Sequence, residues 1–413
     1  MLTARCQHAR VTFPPDMQKP LTLSRLRRMA IAASFRAPTT LGRAIRTLGF
    51  VQADPIRAPA RAQDLILRHR VADYRNGDVH RQFMRLTLEE DFLYAYGIMS
   101  QETWRLLHPR HDAESRDGRH RPTGLAANVL EFVRENGATH PRDLAEQYGR
   151  ERTLNGWGSW SSATTRALQR LHYYGLLRVV QRRGGIRVYA AVQPQAEPLS
   201  PEERRHRALL LLARLLAPLP ERSLRPACAL LARGVPDLGD PGEIVRALLA
   251  AGKLAAGEVE GERYLWPAEL RATQQPRVVR LLAPFDPLVW DRRRFALLWG
   301  WEYRFEAYTP ATERRLGYYA LPLLWGEQVI GWANATVTNG ALQVTPGFVG
   351  AAPVGGEFRH ALDAEIARFA AFLQPAAPVV GVASSRAETL AGRSPTRVKE
   401  MGSILGKAAR TSI

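Results

Sequence analysis

The chain has 413 residues, more than one ordinary hydrophobic core holds, so we expect about two to four domains. Its formal net charge of +19 favours a polyanionic partner, either nucleic acid or an anionic membrane. Arginine carries nearly all of this charge, with only four lysines, a skew that a GC-rich genome also produces. The longest apolar stretch, residues 208–219, is interrupted by Arg214 and is too short to cross a bilayer. We therefore predict a nucleic-acid partner and no membrane.

The two cysteines, Cys6 and Cys228, form no CxxC pair, which disfavours a zinc ribbon or an iron–sulfur cluster. We accordingly expect no metal and no other cofactor. No apolar run that would indicate a signal peptide occurs near the N-terminus, which predicts a cytoplasmic protein. Residues 1–20 and 381–413 are predicted to be flexible tails. The second tail is basic and is interpreted as a solvated appendage or, alternatively, as a DNA-binding arm.

The first predicted unit, residues 21–118, contains the segment Phe50-Val51-Gln52-Ala53-Asp54-Pro55, which we interpret as a short strand. Side chains at positions i and i+2 of a strand share a face, so Gln52 and Asp54 should point the same way. Pro55 should end the strand pairing. An amide and a carboxylate would then stand side by side, although such a triplet by itself is also typical of a surface turn. Arg57 and Arg61 follow and would either clamp phosphates or form surface salt bridges.

The second unit, residues 119–195, has the pattern of three helices followed by a hairpin. The helices are predicted at Leu125–Glu135, at Pro141–Tyr148 and from a cap at Ser161 or Ser162 to Tyr174; the strands are predicted at Leu176–Arg183 and Ile186–Val192. Gly175 should end the third helix, and the Gly184-Gly185 link favours a tight hairpin turn. Three helices and a hairpin predict a winged helix.

In a winged helix the third helix can enter a major groove while the wing touches the DNA backbone. The candidate DNA-binding residues are therefore the arginines of the third helix and of the wing, which are Arg166, Arg170, Arg182, Arg183 and Arg187. Tandem winged helices also serve as protein-interaction modules, so this alternative stays open on the pattern alone.

A third unit of the same type is predicted at residues 200–270. Its helices are expected at Glu203–Leu216, Pro226–Arg233 and Pro241–Ala251, and its hairpin at Leu254–Glu258 and Arg263–Trp266, with the turn at Glu260-Gly261. Residues 271–380 differ and predict an α+β C-terminal module. Its strands are expected at Leu316–Leu324, Gln328–Val337 and Leu342–Val344, and its helix at Glu357–Leu373. The predicted fold class is therefore α+β and mainly helical, with tandem winged-helix units.

Blocks of sequence in three regions resemble the AlkZ/YcaQ-like DNA glycosylases. The blocks are Phe50–Ala62, Pro284–Arg292, Tyr303–Pro310, Gly317–Tyr319 and Leu321–Leu324. The signature of that family is Gln, a spacer residue, then Gln or Asp, and this chain is similar to the Asp-bearing, YcaQ-like branch. The resemblance implies bacterial enzymes that remove alkylated bases and unhook interstrand crosslinks, with tandem winged helices forming a concave DNA-binding surface.

The resemblance implies that Asp54 and Gln52 are the catalytic pair, acting on N7-alkylated purines in double-stranded DNA. Asp54 would stabilise the oxocarbenium-like sugar and position water, while Gln52 would hold the water or a sugar or phosphate oxygen. All four lysines lie far from the triplet in sequence, so we expect a monofunctional glycosylase rather than a Schiff-base lyase. We expect a monomer associated with the nucleoid.

Further residues are assigned to DNA contact or to structural roles. Tyr308, Arg314 and Arg315 are candidates for contacting the lesion strand. A second set, Asp286, Trp290, Asp291 and Arg292, is predicted to fix a turn through buried hydrogen bonds. His108 and His111 are interpreted as solvated helix residues. One departure concerns Tyr96, which stands about where the YcaQ-like pattern predicts a histidine, and this leaves the substrate open.

Two competing functions remain from the sequence. The first is a winged-helix protein that binds DNA without catalysis, such as a transcriptional regulator. The second, a metal-dependent nuclease, lacks any carboxylate or histidine cluster of suitable spacing in the sequence.

Overall fold

The computed structural model describes residues 20–110, 112, 119–149, 152–154, 160–193 and 199–374. The two predicted tails fall almost wholly outside these residues, as does His111. The described residues form a mixed α+β structure in which helices alternate with small antiparallel sheets, in agreement with the predicted class. In this part of the chain, no helix has the length and apolarity to cross a membrane.

The N-terminal part, residues 20–110, combines helices with a three-stranded sheet. Its elements are α1 (Leu23–Ser34), α2 (Leu41–Leu48), β1 (Phe50–Gln52), α3 (Ala62–Leu67), α4 (Asp78–Arg81), β2 (Leu88–Phe92), β3 (Tyr96–Ser100) and α5 (Gln101–Leu107). The strand order is β1-β3-β2, and Gln52 lies opposite Gly97. Glycine is required there, because a Cβ on Gly97 would lie 2.5 Å from the backbone oxygen of Val51.

The next part contains the predicted helix–hairpin pattern. Its elements are α6 (Leu125–Asn136), α7 (Pro141–Tyr148), β4 (Arg152–Leu154), β5 (Trp160–Ser162), α8 (Ala163–Tyr173), β6 (Leu177–Arg183) and β7 (Ile186–Ala191). The predicted cap is confirmed, since the Ser162 side chain accepts a hydrogen bond from the amide of Thr165. Gly184 and Gly185 have φ angles of 57° and 86°, which suits the tight hairpin turn. The small ladder of β4 and β5 was not predicted.

Residues 201–267 repeat three helices and a hairpin. The elements are α9 (Pro201–Leu215), β8 (Leu219–Pro220), α10 (Glu221–Leu231), α11 (Pro241–Ala250), β9 (Leu254–Val259) and β10 (Glu262–Pro267). Helix α10 begins five residues before the predicted start at Pro226. Proline loses one hydrogen bond inside a helix, but burial of the apolar side chains of Leu224, Ala227 and Leu231 offsets that loss. The turn at Glu260-Gly261 is confirmed by positive φ angles at both residues.

The C-terminal part has a four-stranded sheet in the order β11-β12-β13-β14, with a long helix packed on it. The elements are β11 (Val279–Leu281), α12 (Pro287–Trp290), α13 (Arg292–Trp299), β12 (Leu321–Trp325), β13 (Gln328–Thr338), β14 (Ala341–Phe348) and α14 (Gly356–Leu373). The predicted start of a strand at Leu316 is wrong. The amides of Leu316 and Gly317 donate to the Glu306 carboxylate instead of to a neighbouring strand.

One hydrophobic cluster joins buried residues from 41–107, 208–265 and 279–372, and a second contains the buried residues of α1, α12 and α13. Helices α6 to α8 and their hairpin have a separate core. Buried ion pairs link the first and last parts of the chain. Both Nη atoms of Arg70 donate to the carboxylate of Asp286, at 2.8 and 2.9 Å. Asp286 also accepts from the amide of Leu288, which confirms the predicted structural role of this acid in a turn.

Candidate active site

The Gln-x-Asp triplet lies at the end of β1, beside the first residue of β3. Strand β1 ends at Gln52, although the amide of Ala53 still donates to the carbonyl of Tyr96 at 2.9 Å. The Gln52 side chain is half-buried, and its Oε1 atom is fully buried without a hydrogen-bond partner in the described residues. A buried amide oxygen without a donor costs free energy, which is typical of a group that receives its partner from a bound molecule.

Asp54 lies beyond the last residue of β1, so the strand is shorter than predicted. Its Oδ1 accepts a hydrogen bond from the amide of Ile56 at 2.8 Å, because a short carboxylate after a strand readily caps its own backbone. Burial raises the pKa of Asp54 above its usual value, and the hydrogen bond from Ile56 opposes this only in part. The site therefore holds a partly desolvated carboxylate.

A glutamine that was not predicted as a site residue accepts a hydrogen bond from the backbone amide of Asp54. Gln63, buried on α3, accepts a hydrogen bond from the amide of Asp54 at 3.3 Å through its Oε1 atom. Its Nε2 atom lies 3.3 Å from Nε2 of His80. No local pattern indicates this role, because Gln63 looks like any other residue at the start of a helix. The chain of contacts fixes the backbone on which the carboxylate stands.

Tyrosines of the C-terminal part lie beside Asp54. Burial, and next the negative charge of Asp54, raise the pKa of Tyr308 and of Tyr319. The Tyr319 hydroxyl is buried without a partner among the described residues, while Tyr308 is 40% exposed. Both rings contact the ring of Phe305, with centroid distances of 5.9 Å for Tyr308 and 5.3 Å for Tyr319. Of these residues, the sequence analysis singled out Tyr308 alone.

The predicted wing arginines do not share one environment. Arg182 binds the buried carboxylate of Glu90 through Nε and Nη2, at 2.5–3.1 Å. Arg187 lies over the ring of Tyr96 at 4.1 Å, and Arg183 is exposed. Arg182 and Arg187 therefore have partners within the protein, whereas Arg183 is exposed. The reason is electrostatic, because a buried carboxylate and an aromatic face attract cations that would otherwise be solvated.

The two arginines after the triplet differ in burial. Arg57 is exposed, whereas Arg61 is half-buried and reaches the wing turn, with Nη2 3.8 Å from the position that a Cβ would take on Gly185. Its Nε atom is buried without a hydrogen-bond partner within the described ranges. Neither arginine takes part in a salt bridge within those ranges. The structure thus brings Arg61 and the wing tip together next to the triplet.

Tyr96 stands at the position where the resemblance predicts a histidine. It contacts the β6–β7 hairpin, because Arg187 lies over its ring. Its hydroxyl donates to Oε2 of Glu90 at 3.0 Å. Although burial alone would raise the pKa of Glu90, the hydrogen bonds and charge of Arg182 hold it below its usual value. Glu90 is therefore a carboxylate that joins the sheet of the triplet to the β6–β7 hairpin. Sequence reasoning missed Glu90, because an acidic residue in a strand is usually solvated.

The remaining predicted residues lie on other elements. Arg166 and Arg170 are exposed on α8. Arg314 donates through Nε to the carbonyl of Thr309 at 2.8 Å, and Arg315 is exposed. The prediction of a solvated His108 is wrong, because its ring is buried.

The His108 ring is held 2.6 Å from a carboxylate oxygen of Asp91, and its burial lowers its pKa to about 4. Over the described part of the chain, no group of three or more histidine, cysteine or acidic residues is arranged to hold a metal ion.

Comparison with known proteins identifies the class to which this fold and site belong. A profile of the family described as "DNA glycosylase AlkZ-like" matches residues 45–372, well over half of the sequence, and the chain belongs to this family. Among solved structures, Streptomyces sahachiroi DNA glycosylase AlkZ is similar, with a TM-score of 0.52 and 15% sequence identity. The similarity covers 86% of this chain and 98% of that chain. At 15% sequence identity, this similarity shows the fold alone.

Proposed function

We propose that this protein is a monofunctional DNA glycosylase that hydrolyses the N-glycosidic bond of N7-alkylated purines in double-stranded DNA, including those of interstrand crosslinks. The observation that carries the proposal is the pair Gln52 and Asp54 at the end of β1, in a chain that belongs to a DNA glycosylase family. The wider support comes from the Tyr308 and Tyr319 phenols, whose pKa values respond to the charge of Asp54.

The reaction suits a site with one carboxylate. An N7-alkylated guanine is cationic, so the bond to the sugar breaks with its electron pair going to the base, which leaves as a neutral molecule. The sugar becomes an oxocarbenium-like cation, and the ionised Asp54 stabilises this charge. Water then forms a bond to the sugar carbon and gives its proton to the Asp54 carboxylate, which leaves an abasic site. The leaving group needs no separate general acid.

Polar atoms near Asp54 that lack a hydrogen-bond partner among the described residues would position the water and the lesion strand. The buried Oε1 of Gln52 lacks a donor, and the buried hydroxyl of Tyr319 lacks a partner among the described residues. We assign Gln52 to the attacking water or to a sugar or phosphate oxygen of the lesion strand. The Oδ1 atom of the half-buried carboxylate accepts a hydrogen bond from the amide of Ile56, and we assign the other oxygen to the sugar cation and the water.

The exposed arginines fit a role in holding the DNA backbone. In the proposal, the repeated helix–hairpin units act as tandem winged helices on a concave DNA-binding surface. Phosphate contacts are assigned to exposed arginines around the triplet, on α8, at the hairpin tip and after Tyr308, together with the half-buried Arg61 and Arg314. The residues are Arg57, Arg61, Arg166, Arg170, Arg183, Arg314 and Arg315. Arg182 and Arg187 would instead hold the wing in place. Arginine suits this work, because its planar fork donates two hydrogen bonds to one phosphate.

The test is incubation of the protein with duplexes that contain 7-methylguanine or a nitrogen-mustard crosslink, followed by alkali cleavage at abasic sites. We expect strand cleavage only after alkali, because a monofunctional enzyme leaves the backbone intact. A strand break without alkali would contradict monofunctional chemistry. Salt-sensitive binding to both damaged and undamaged duplex, without base release, would instead identify a DNA-binding protein without this activity.

A further inference from the structure

A sizeable cavity of the protein lies away from the triplet. It has a volume of about 920 Å³ and is formed by the end of α1, the end of α2, the end of α9 and the segment that leads into β11. Neither Gln52 nor Asp54 lines it. This size falls in the range typical of small-molecule sites, about 300–1,000 Å³. A smaller cavity of about 290 Å³ shares residues 33–34, 36–38 and 47–48 with it.

The charged residues of the large cavity are strongly biased toward one sign. Five arginines and one glutamate line it; the arginines are Arg36, Arg46, Arg214, Arg271 and Arg280, and the glutamate is Glu269. Glu269 is already paired with Arg214 at 3.1 Å. Arg36 and Arg46 have no carboxylate partner in the described part of the chain, and the smaller cavity adds Arg43. Such an excess of positive charge attracts an anion and is not a place for an apolar ligand.

The guanidinium of Arg280 provides independent support for an anion in this cavity. Its Nη1 atom is buried without a hydrogen-bond partner among the described residues, and its guanidinium stacks over the Phe35 ring at 4.8 Å. The carboxylates near it are occupied, since Glu365 binds Arg68 and Arg368, and Asp286 binds Arg70. A buried guanidinium nitrogen without an acceptor is costly, so its acceptor is expected to arrive with a bound molecule.

The chain's own ends are poor candidates for the occupant. Residues 1–19 contain three lysine or arginine residues against one acidic residue, and residues 375–413 contain six against two. A basic segment would be repelled by the arginines of the cavity. We propose that the cavity is a binding site for a phosphate-bearing anion, in which Arg280 and Arg36 are the principal donors. The apolar wall, which includes Phe35 and Leu270, would exclude water from the bound phosphates.

Two sources share this chemistry: a free phosphate compound and a backbone phosphate of a DNA duplex that runs past the lesion site. The probe is inorganic pyrophosphate, titrated calorimetrically into the full chain at low, constant ionic strength. We expect binding to the wild-type protein. Arg280→Gln and, separately, Arg36→Gln should each weaken that binding by about tenfold or more, the scale of one hydrogen bond to a charged group. Arg359→Gln, which removes an exposed charge from α14, is the matched control and should leave binding unchanged.

The side chain of Arg36 is exposed, so Arg36→Gln keeps the test valid if the variant at the buried position fails to fold. Undamaged duplex serves as the competitor. Displacement of pyrophosphate by duplex, with weaker duplex binding in both variants, would identify the backbone as the source of the phosphate; pyrophosphate binding without competition would identify a free compound. The proposal is overturned by a wild-type protein that does not bind pyrophosphate, or by variants that bind it as tightly as Arg359→Gln does.

Discussion

The substitution Asp54→Asn separates catalysis from folding at the proposed active site. Asparagine has the same shape as aspartate, and its Oδ1 can still accept the hydrogen bond that the amide of Ile56 donates at 2.8 Å. The amide of residue 54 can still donate to Gln63. The local turn should therefore survive, and the change is the loss of one negative charge beside the proposed oxocarbenium.

The expected loss of activity is at least about a hundredfold, the scale of removing one electrostatic stabiliser, which corresponds to about 2.7 kcal/mol of activation free energy. The free energy of unfolding should not fall in the same variant. Burial raises the pKa of Asp54 in the folded protein, so the folded state binds this proton more tightly than the unfolded state. The ionised side chain therefore reduces the free energy of unfolding as pH rises through the folded pKa. Asp54→Asn should be at least as stable as the wild type at neutral pH.

The assay is single-turnover release of 7-methylguanine from duplex DNA, corrected for spontaneous loss in buffer and paired with urea unfolding of the same preparations. The wild-type rate should fall as pH is lowered through the pKa of Asp54, at a pH above the usual range of an aspartate. Asp73→Asn, at an exposed aspartate, is the control for a general charge effect. Base release by Asp54→Asn at the wild-type rate would refute the assignment, and a loss of activity that only follows unfolding would refute the catalytic reading.

Three further predictions concern residues that stabilise the structure around the site. Glu90→Gln removes the carboxylate charge that holds Arg182 and should lower the free energy of unfolding by about 3 kcal/mol, since it leaves a partly buried cation unpaired. Gly97→Ala would put a methyl group 2.5 Å from a backbone oxygen of β1, so we expect about 1–3 kcal/mol of destabilisation together with reduced base release. Asp286→Asn breaks the buried pair with Arg70 and should cost about 3–5 kcal/mol.

Urea unfolding at neutral pH measures all three effects. The matched controls are Glu102→Gln and Asp363→Asn, which remove exposed charges, and Gly356→Ala, where an added Cβ has no neighbour within 4 Å. An unfolding free energy equal to that of its control would contradict the role assigned to the corresponding residue.

The local elements of this protein could be predicted from its sequence. The helices Leu125–Asn136 and Pro141–Tyr148 and the turn at Gly184-Gly185 follow from apolar spacing, capping residues and glycine, all of which act within a few residues. The blocks of residues around the triplet and around Asp286 also indicated the glycosylase family that the profile match shows. These signals are readable from sequence, because their physical causes lie close together along the chain.

The tertiary structure alone decided what surrounds the carboxylate. The charge of Asp54 raises the pKa of Tyr319, more than 250 residues away in sequence, and Arg182 pairs with Glu90 across 92 residues. The strand predicted to begin at Leu316 begins at Leu321 instead, because the amides of Leu316 and Gly317 donate to the Glu306 carboxylate. Such contacts between distant residues produce no periodic pattern in the sequence. They arise when buried charges and polar groups find their partners during packing, and packing therefore decides which arginines face outward and which hold the site together.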